Sequence, residues 1–92
     1  MLKIVGNDIW RSSTKIGWIQ ENRVFSHDGK KLGYYTDNDI YEASGRKIAW
    51  VEADRLYTVD HEHFRLEEVV HNVQGGPYPN MMRAMIKLLL GD

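Results

Sequence analysis

The sequence predicts a mainly β domain: a closed or near-closed ring of β-hairpin repeats with a sixteen-residue period, followed by one C-terminal α-helix. Three observations carry this expectation. A pattern recurs in Asp8–Asn22 (one residue short), Arg23–Asn38, Asp39–Asp54 and, degraded, Arg55–Val70. Each copy opens on an aliphatic–aromatic pair (Ile9-Trp10, Val24-Phe25, Ile40-Tyr41, Leu56-Tyr57) that leads into a polar turn, and the first three continue into a second apolar run. After residue 73 the pattern gives way to a Gly/Pro-rich breaker and an apolar segment at helical spacing. Repetition at a fixed period sets the architecture before local propensity does, because an isolated hairpin cannot bury its own apolar face.

In chain order, Val5-Gly6-Asn7-Asp8-Ile9-Trp10 aligns with Thr36-Asp37-Asn38-Asp39-Ile40-Tyr41. Met1 to Val5 therefore reads as the second strand of an absent preceding repeat, free to complete the last one and close the ring. Closure would remove exposed strand edges, which invite aggregation. Within each copy the two apolar runs are short and rich in Ile, Val, Trp and Tyr, which favours strands. Between them stand turn signals: Ser12-Ser13, His27-Asp28-Gly29 and Ala43-Ser44-Gly45. Glycine accepts the positive φ of tight turns, and Asp or Ser can bond the local backbone. A second set of turns, Glu21-Asn22, Asp37-Asn38 and Ala53-Asp54, joins the copies, again with residues suited to left-handed positions.

The second runs read Ile16-Gly17-Trp18-Ile19, Leu32-Gly33-Tyr34-Tyr35 and Ile48-Ala49-Trp50-Val51. Strict alternation places Ile16 with Trp18, Leu32 with Tyr34 and Ile48 with Trp50 on one face. The intervening Gly17, Gly33 and Ala49 imply that a backbone or a ring packs closely there. The fourth copy keeps Phe64 but continues Arg65-Leu66-Glu67.

Gln74-Gly75-Gly76-Pro77-Tyr78-Pro79 is a breaker. Asn80 as cap, or Pro79 in the first turn, starts a helix that runs through Leu90 to a stop at Gly91. Met82, Met85, Ile86 and Leu89 form one stripe, Arg83 and Lys87 lie on another side, and Met81, Leu88 and Leu90 widen the apolar surface. The organisation is thus a repeat domain over residues 1–73, with a turn and helix over 74–92 packed on it or on a partner.

Bulk properties exclude several classes. The formal net charge is −1, whereas nucleic-acid binders carry a basic excess that displaces counterions. No cysteine is present, so disulfide stapling and thiol nucleophiles are out. Met81 to Leu90 is interrupted by Arg83 and Lys87 and falls short of the roughly 20 apolar residues that span a bilayer. The N-terminus turns polar too quickly for a secretory signal. The chain is expected to be cytoplasmic, with no integral membrane segment and no nucleic-acid partner. Ser12, Ser13, Ser26 and Ser44 all sit in or near turns, where serine has a structural reason to be. With no phosphate loop or nucleophile elbow, no catalytic residue is assigned, an enzyme is not expected, and no cofactor is implied.

Three sets of residues are candidates for binding. Trp18, Tyr34 and Trp50 recur at one repeat position and could stack on a sugar or cage a cation. The favoured reading makes them the core between hairpins, with Trp10, Phe25, Tyr41 and Tyr57 open to the same two readings. His61, Glu62 and His63 form the best metal candidate, with His71, Glu67 or Glu68 folding back as third ligand. The spacing matches no complete ligand signature, so no metal is assigned. Met82, Met85 and Leu89 present an adaptable surface for a protein partner or for self-association through the C-terminal helix.

The segments Lys-Ile-Gly-Trp-Ile, Lys-Leu-Gly-Tyr-Tyr and Arg-Lys-Ile-Ala-Trp-Val, each preceded by an aliphatic–aromatic pair, resemble those of small bacterial β-flower domains. The resemblance covers residues 1 to about 70 and favours the four-fold form. It implies radially arranged hairpins, and it implies no activity and no catalytic set. Arg65 and Glu67 depart from the pattern and put a full fourth petal in question. Gly17-Trp18, Asp28-Gly29 and Tyr34-Tyr35 also look like pieces of the hairpin repeats that hold choline on cell walls, although those repeats are longer and belong to exported proteins. Two functions follow as expectations: an interaction or assembly module, or a small-ligand or metal-binding protein using the repeat aromatics or the His61/His63 pair.

Overall fold

A computed structural model describes residues 2–91. Its strands are β1 (Leu2–Val5), β2 (Asp8–Arg11), β3 (Thr14–Gln20), β4 (Arg23–Ser26), β5 (Lys31–Thr36), β6 (Asp39–Glu42), β7 (Lys47–Glu52), β8 (Arg55–Thr58), β9 (His63–Arg65) and β10 (Val73–Gln74). Two helices complete it, α1 (Leu66–His71) and α2 (Asn80–Leu90). The strands form one sheet in the order β10-β1-β2-β3-β4-β5-β6-β7-β8-β9. All neighbours pair antiparallel except β10, which lies parallel to β1.

The polar turns inside the copies close the hairpins β2–β3, β4–β5, β6–β7 and β8–β9. In the last three, the strand-end amide bonds across a short loop: Ser26 to the Lys30 carbonyl (2.8 Å), Glu42 to Arg46 (2.9 Å) and Thr58 to Glu62 (2.9 Å). Gly29 (φ 89°) and Gly45 (φ 97°) supply the left-handed residue, and His61 (φ 69°) stands in the corresponding place of the fourth hairpin. The residue missing from the first copy is missing from this loop, where Ser12 and Ser13 alone join Arg11 to Thr14. A histidine held at positive φ costs energy that glycine avoids, offset in part by glycine's floppier unfolded chain. His61→Gly is therefore expected to raise stability by about 0.5 kcal/mol, and His61→Val to lower it, read as shifts in the denaturant midpoint.

The connections between copies behave alike. Glu21 (φ 55°), Asp37 (φ 52°) and Ala53 (φ 57°) are all left-handed. The next carbonyl accepts a bond from the following hairpin: Asn7 from the Ile19 amide (2.7 Å), Asn22 from Tyr35 (3.1 Å), Asn38 from Val51 (2.8 Å) and Asp54 from Leu66 (2.8 Å).

Alternation fails at one position in each of the first three hairpins, and this decides what lies inside. Ile9 pairs with Gly17 but Trp10 pairs with Lys15, leaving Ile16 as an extra residue. Leu32 and Ile48 are the extra residues in the next two hairpins. A β-bulge of this kind sets two successive side chains against one partner. Ile16, Leu32 and Ile48 thus pack against the core beside Gly17, Gly33 and Ala49. The expectation that they share a face with Trp18, Tyr34 and Trp50 is corrected: strict alternation does not survive a bulge. The core itself is aliphatic. Ile9, Val24, Ile40 and Leu56, the first members of the four pairs, are all 0% exposed. Trp18, Tyr34 and Trp50 are absent from this cluster, which corrects their assignment to the core, whereas Tyr35 packs against it.

The fourth hairpin has no such register shift: Leu56 faces Phe64 directly, and Arg55 faces Arg65. A bulge at Phe64 would put Arg65 where Gly17, Gly33 and Ala49 are buried, and an unpaired guanidinium there would be prohibitive. Without the bulge Arg65 stays exposed, Phe64 is left 39% exposed at the sheet edge, and the chain turns into α1 at Leu66. The sequence reading contained neither α1 nor β10. Expected closure by Met1 to Val5 takes a different form: β1 pairs with β2 and β10, not with the last hairpin, and Met1 lies outside the described residues. The ladder ends at β9 and β10, and α1 carries the chain from one end to the other.

Helix α2 fills the core that the hairpins line. Met82, Ala84, Met85 and Ile86 are 0% exposed, and its last turn faces several hairpins in succession. Leu90 Cδ1 lies 3.3 Å from where a Cβ on Gly17 would stand, and Leu89 Cδ1 2.7 Å from that on Gly33. Leu88 lies near Ile48 and Val59, and Lys87 near Leu56, Phe64 and Val69. Successive helical residues turn by about 100°, so consecutive side chains point at different hairpins. This is why the apolar surface of the helix is wider than a single stripe, with Met81 and Leu88 to Leu90 half-buried beside the four sealed residues. Pro79 precedes the helix rather than entering it, its carbonyl accepting the Met82 amide at 3.1 Å. The division at residue 73 runs through β10, and both parts share one core.

Arg83 fixes the approach to α2. Its guanidinium donates to the carbonyls of Val73 (2.7 Å), Gly75 (2.6 Å) and Gly76 (2.6 Å). Gly75 (φ 86°) sits so close to the Ile4 carbonyl that no side chain fits there. Charge-assisted bonds to three carbonyls make Arg83→Met cost about 2–3 kcal/mol by thermal unfolding.

Candidate functional site

With the interior taken by aliphatic side chains, the repeat aromatics lie on the outer face in ring pairs that bridge neighbouring hairpins. Trp18 stacks on Phe25 with centroids 4.1 Å apart and planes 5° from parallel. Tyr34 stacks on Tyr41 (5.1 Å, 11°) and Trp50 on Tyr57 (5.7 Å, 15°). These are directly opposed residues of β3/β4, β5/β6 and β7/β8, where cross-strand rings contribute about 0.5–1.5 kcal/mol beyond their burial. All six are half-buried. Successive hairpins joined by like ring pairs, with a C-terminal helix packed on their aliphatic face, fit the hairpin-repeat domain that the sequence resembles. A family model described as "4-fold beta flower protein" matches residues 10–87. The chain belongs to this family. No curated protein and no solved structure matched the chain.

In this beta flower the rings are engaged by cations as well. Lys31 Nζ stands 4.8 Å from the Tyr34 centroid and Lys47 Nζ 5.2 Å from that of Trp50. Lys47 also pairs with Asp39 at 3.1 Å, as Lys15 does with Asp8 at 3.0 Å. These lysines, which sequence reasoning passed over, recur at one place in the second strand and were legible as such. A ligand stacking on Tyr34 or Trp50 has to displace a ring or an ammonium already there.

His63 occupies the fourth copy's version of the lysine position, opposite Tyr57. Its ring is tilted 39° against Tyr57 at 6.1 Å, and its Nδ1 lies 3.4 Å from an Arg55 guanidinium nitrogen. That contact needs Nδ1 unprotonated. His61 stands in the exposed hairpin loop and His71 ends α1. Among the described residues no group of three His, Cys, Asp or Glu is placed to hold a metal ion.

Of the helix candidates, Met82 and Met85 are sealed in the core and offer no surface, and half-buried Leu89 packs over Gly33. Met82 and Met85 therefore present no surface to a partner. The stripe is real, but the hairpins and α1 cover it. Where the fourth hairpin departs from the pattern, an apolar hollow of about 180 Å³ remains among Leu56, Phe64, Val69, Lys87 and Leu88.

The hairpin tips also carry polar order. In the second, the Asp28 carboxylate accepts from the Ser26 hydroxyl and from the Lys30 amide (3.3 Å). The Ser26 bond first, and the amide second, hold the Asp28 carboxyl below its ordinary value. A depressed folded value means this contribution is present above the ordinary carboxylate range and fades as pH falls through the folded value. In an NMR titration Asp28 is expected to protonate at lower pH than a model aspartate, and Ser26→Ala to move it back up.

Proposed function

We propose that this beta flower is a non-enzymatic interaction module whose working surface is the outer face of its hairpins. The observation that supports this is the division of apolar groups. The helix that reads as a docking surface in sequence is consumed by the core, whereas Trp18, Tyr34 and Trp50 with their ring partners remain half-exposed among charged residues. Aromatic centres with charged rims are the usual make-up of association surfaces. The small-ligand reading is weaker on the same grounds, since Tyr34 and Trp50 are already engaged by rings and by lysines.

In this reading α1 completes the ring by spanning the gap between β9 and β10, protecting both edges from strand pairing with other chains. Among the described residues no helix is long and apolar enough to cross a membrane, and we place the protein in the cytoplasm. Native mass spectrometry of tag-free protein tests the module reading: the mass of bare polypeptide is expected. A stoichiometric metal or organic adduct would overturn it in favour of a binding protein.

A further inference from the structure

We infer that the outer face of the second and third hairpins docks on the same face of a second copy of the chain, in an antiparallel two-fold arrangement. This rests on the interaction-module reading and names its partner. The face comprises β4 to β7, with the Tyr34–Tyr41 pair at its middle and Trp50 beside it. Its two ends differ in charge. The hairpin tips carry Lys30, Lys31 and Arg46, offset in part by Asp28 and Glu42. The connections at the other end carry Asp37, Glu52 and Asp54, with Arg55 beside them.

Arg46 is satisfied locally by Glu42 (3.4 Å), and Lys47 by Asp39 (3.1 Å) in a pair that lies between the two ends. Lys30 and Lys31 against Asp28 at one end, and Asp37, Glu52 and Asp54 against Arg55 at the other, make no ion pair within the described residues. The charge left over is therefore positive at the tips and negative at the connections. A half-turn about an axis through the Tyr34–Tyr41 pair sets each positive end on the negative end of the other copy, twice over. It also brings the half-buried rings together at the centre. Such an interface is self-complementary and closes at two copies, whereas a parallel arrangement would oppose like charges.

Sedimentation velocity tests this on the whole chain. A dimer is expected in about 50 mM salt, weakening by roughly tenfold in about 500 mM, as screening removes the end-to-end attraction. The charge reversals Lys30→Glu/Arg46→Glu and Asp37→Lys/Glu52→Lys should each give monomers. Mixed in equal amounts they should restore a dimer containing one of each, because each reversed end then meets its complement. All four positions are exposed, and Glu21 and Ala53 already fill the left-handed turn position of Asp37. Should a reversal fail to fold, Lys30→Gln with Glu52→Gln should weaken the dimer without unfolding the chain. A monomeric wild type, reversed variants that still dimerise, or a mixture that stays monomeric would each overturn the proposal. None of these results yields an adduct, so failure here is distinct from failure of the interaction reading itself.

Discussion

A chain ending at Pro79 is expected to lose cooperative folding altogether, not merely its oligomeric state. Helix α2 supplies Met82, Ala84, Met85 and Ile86 to the core, each 0% exposed, and it packs against β5 in the middle of the sheet, β10 at one end and α1. Burying each large side chain is worth about 1.5–3 kcal/mol. Three of them together approach the ~5–15 kcal/mol that separates a domain from its unfolded state. Removal also leaves Ile9, Val24, Ile40 and Leu56 facing water, and short hairpins have no other means of covering them. Circular dichroism and thermal melting should show a broad, non-cooperative transition for the truncated chain. Met85→Ala alone should cost about 2–4 kcal/mol, transfer and cavity combined. A truncated protein that melts as sharply as the whole one would show that the sheet stands without its helix.

Gly33→Val is the second large effect. A side chain there would collide with the Tyr41 carbonyl oxygen and stand 2.7 Å from Leu89 Cδ1. The strand and the helix would have to part, at about 3 kcal/mol or more in an interior that resists overpacking. Valine's high strand propensity argues the other way, but only by tenths of a kcal/mol. Packing wins by a wide margin. The opposite change at the same place in the third hairpin, Ala49→Gly, should cost only about 1 kcal/mol, for backbone freedom and a lost methyl. Chemical denaturation of the two variants side by side separates steric blockage from general sensitivity of this strand.

The hairpins were legible because period, turn residues and strand propensity agree at each copy. So was the meaning of Gly17 and Gly33, since a missing side chain inside a strand has few explanations besides close approach. What each glycine faces was not legible. The Leu residues that fill the space come from Lys87–Leu90, more than fifty residues away in sequence from Gly33, and no local pattern links them. Faces were misjudged for one reason. A bulge adds a residue without changing composition, so Ile16, Leu32 and Ile48 moved to the inside while Trp18, Tyr34 and Trp50 stayed out.

The fourth copy shows what a departure can and cannot say. Arg65 signalled that the pattern breaks, but not that the break removes the bulge, starts α1 and leaves Phe64 at an edge. On the candidate site, the aromatic positions were found and their surroundings were not. Lys31 and Lys47 come to their rings only through the strand geometry. The Met/Leu stripe of α2 was visible too. A stripe reports that a face is covered, and not whether the cover is a partner or the chain's own hairpins.

Residue-resolved hydrogen exchange tests directly whether the hairpins cover α2. If they do, the amides of Met85 to Leu89 exchange only through global unfolding. Their protection should equal that of Val24 and Ile40 and fall in step with it in mild denaturant. Rapid exchange of α2 while those strands stay protected would contradict this, and would return the helix to the surface as a partner-binding element.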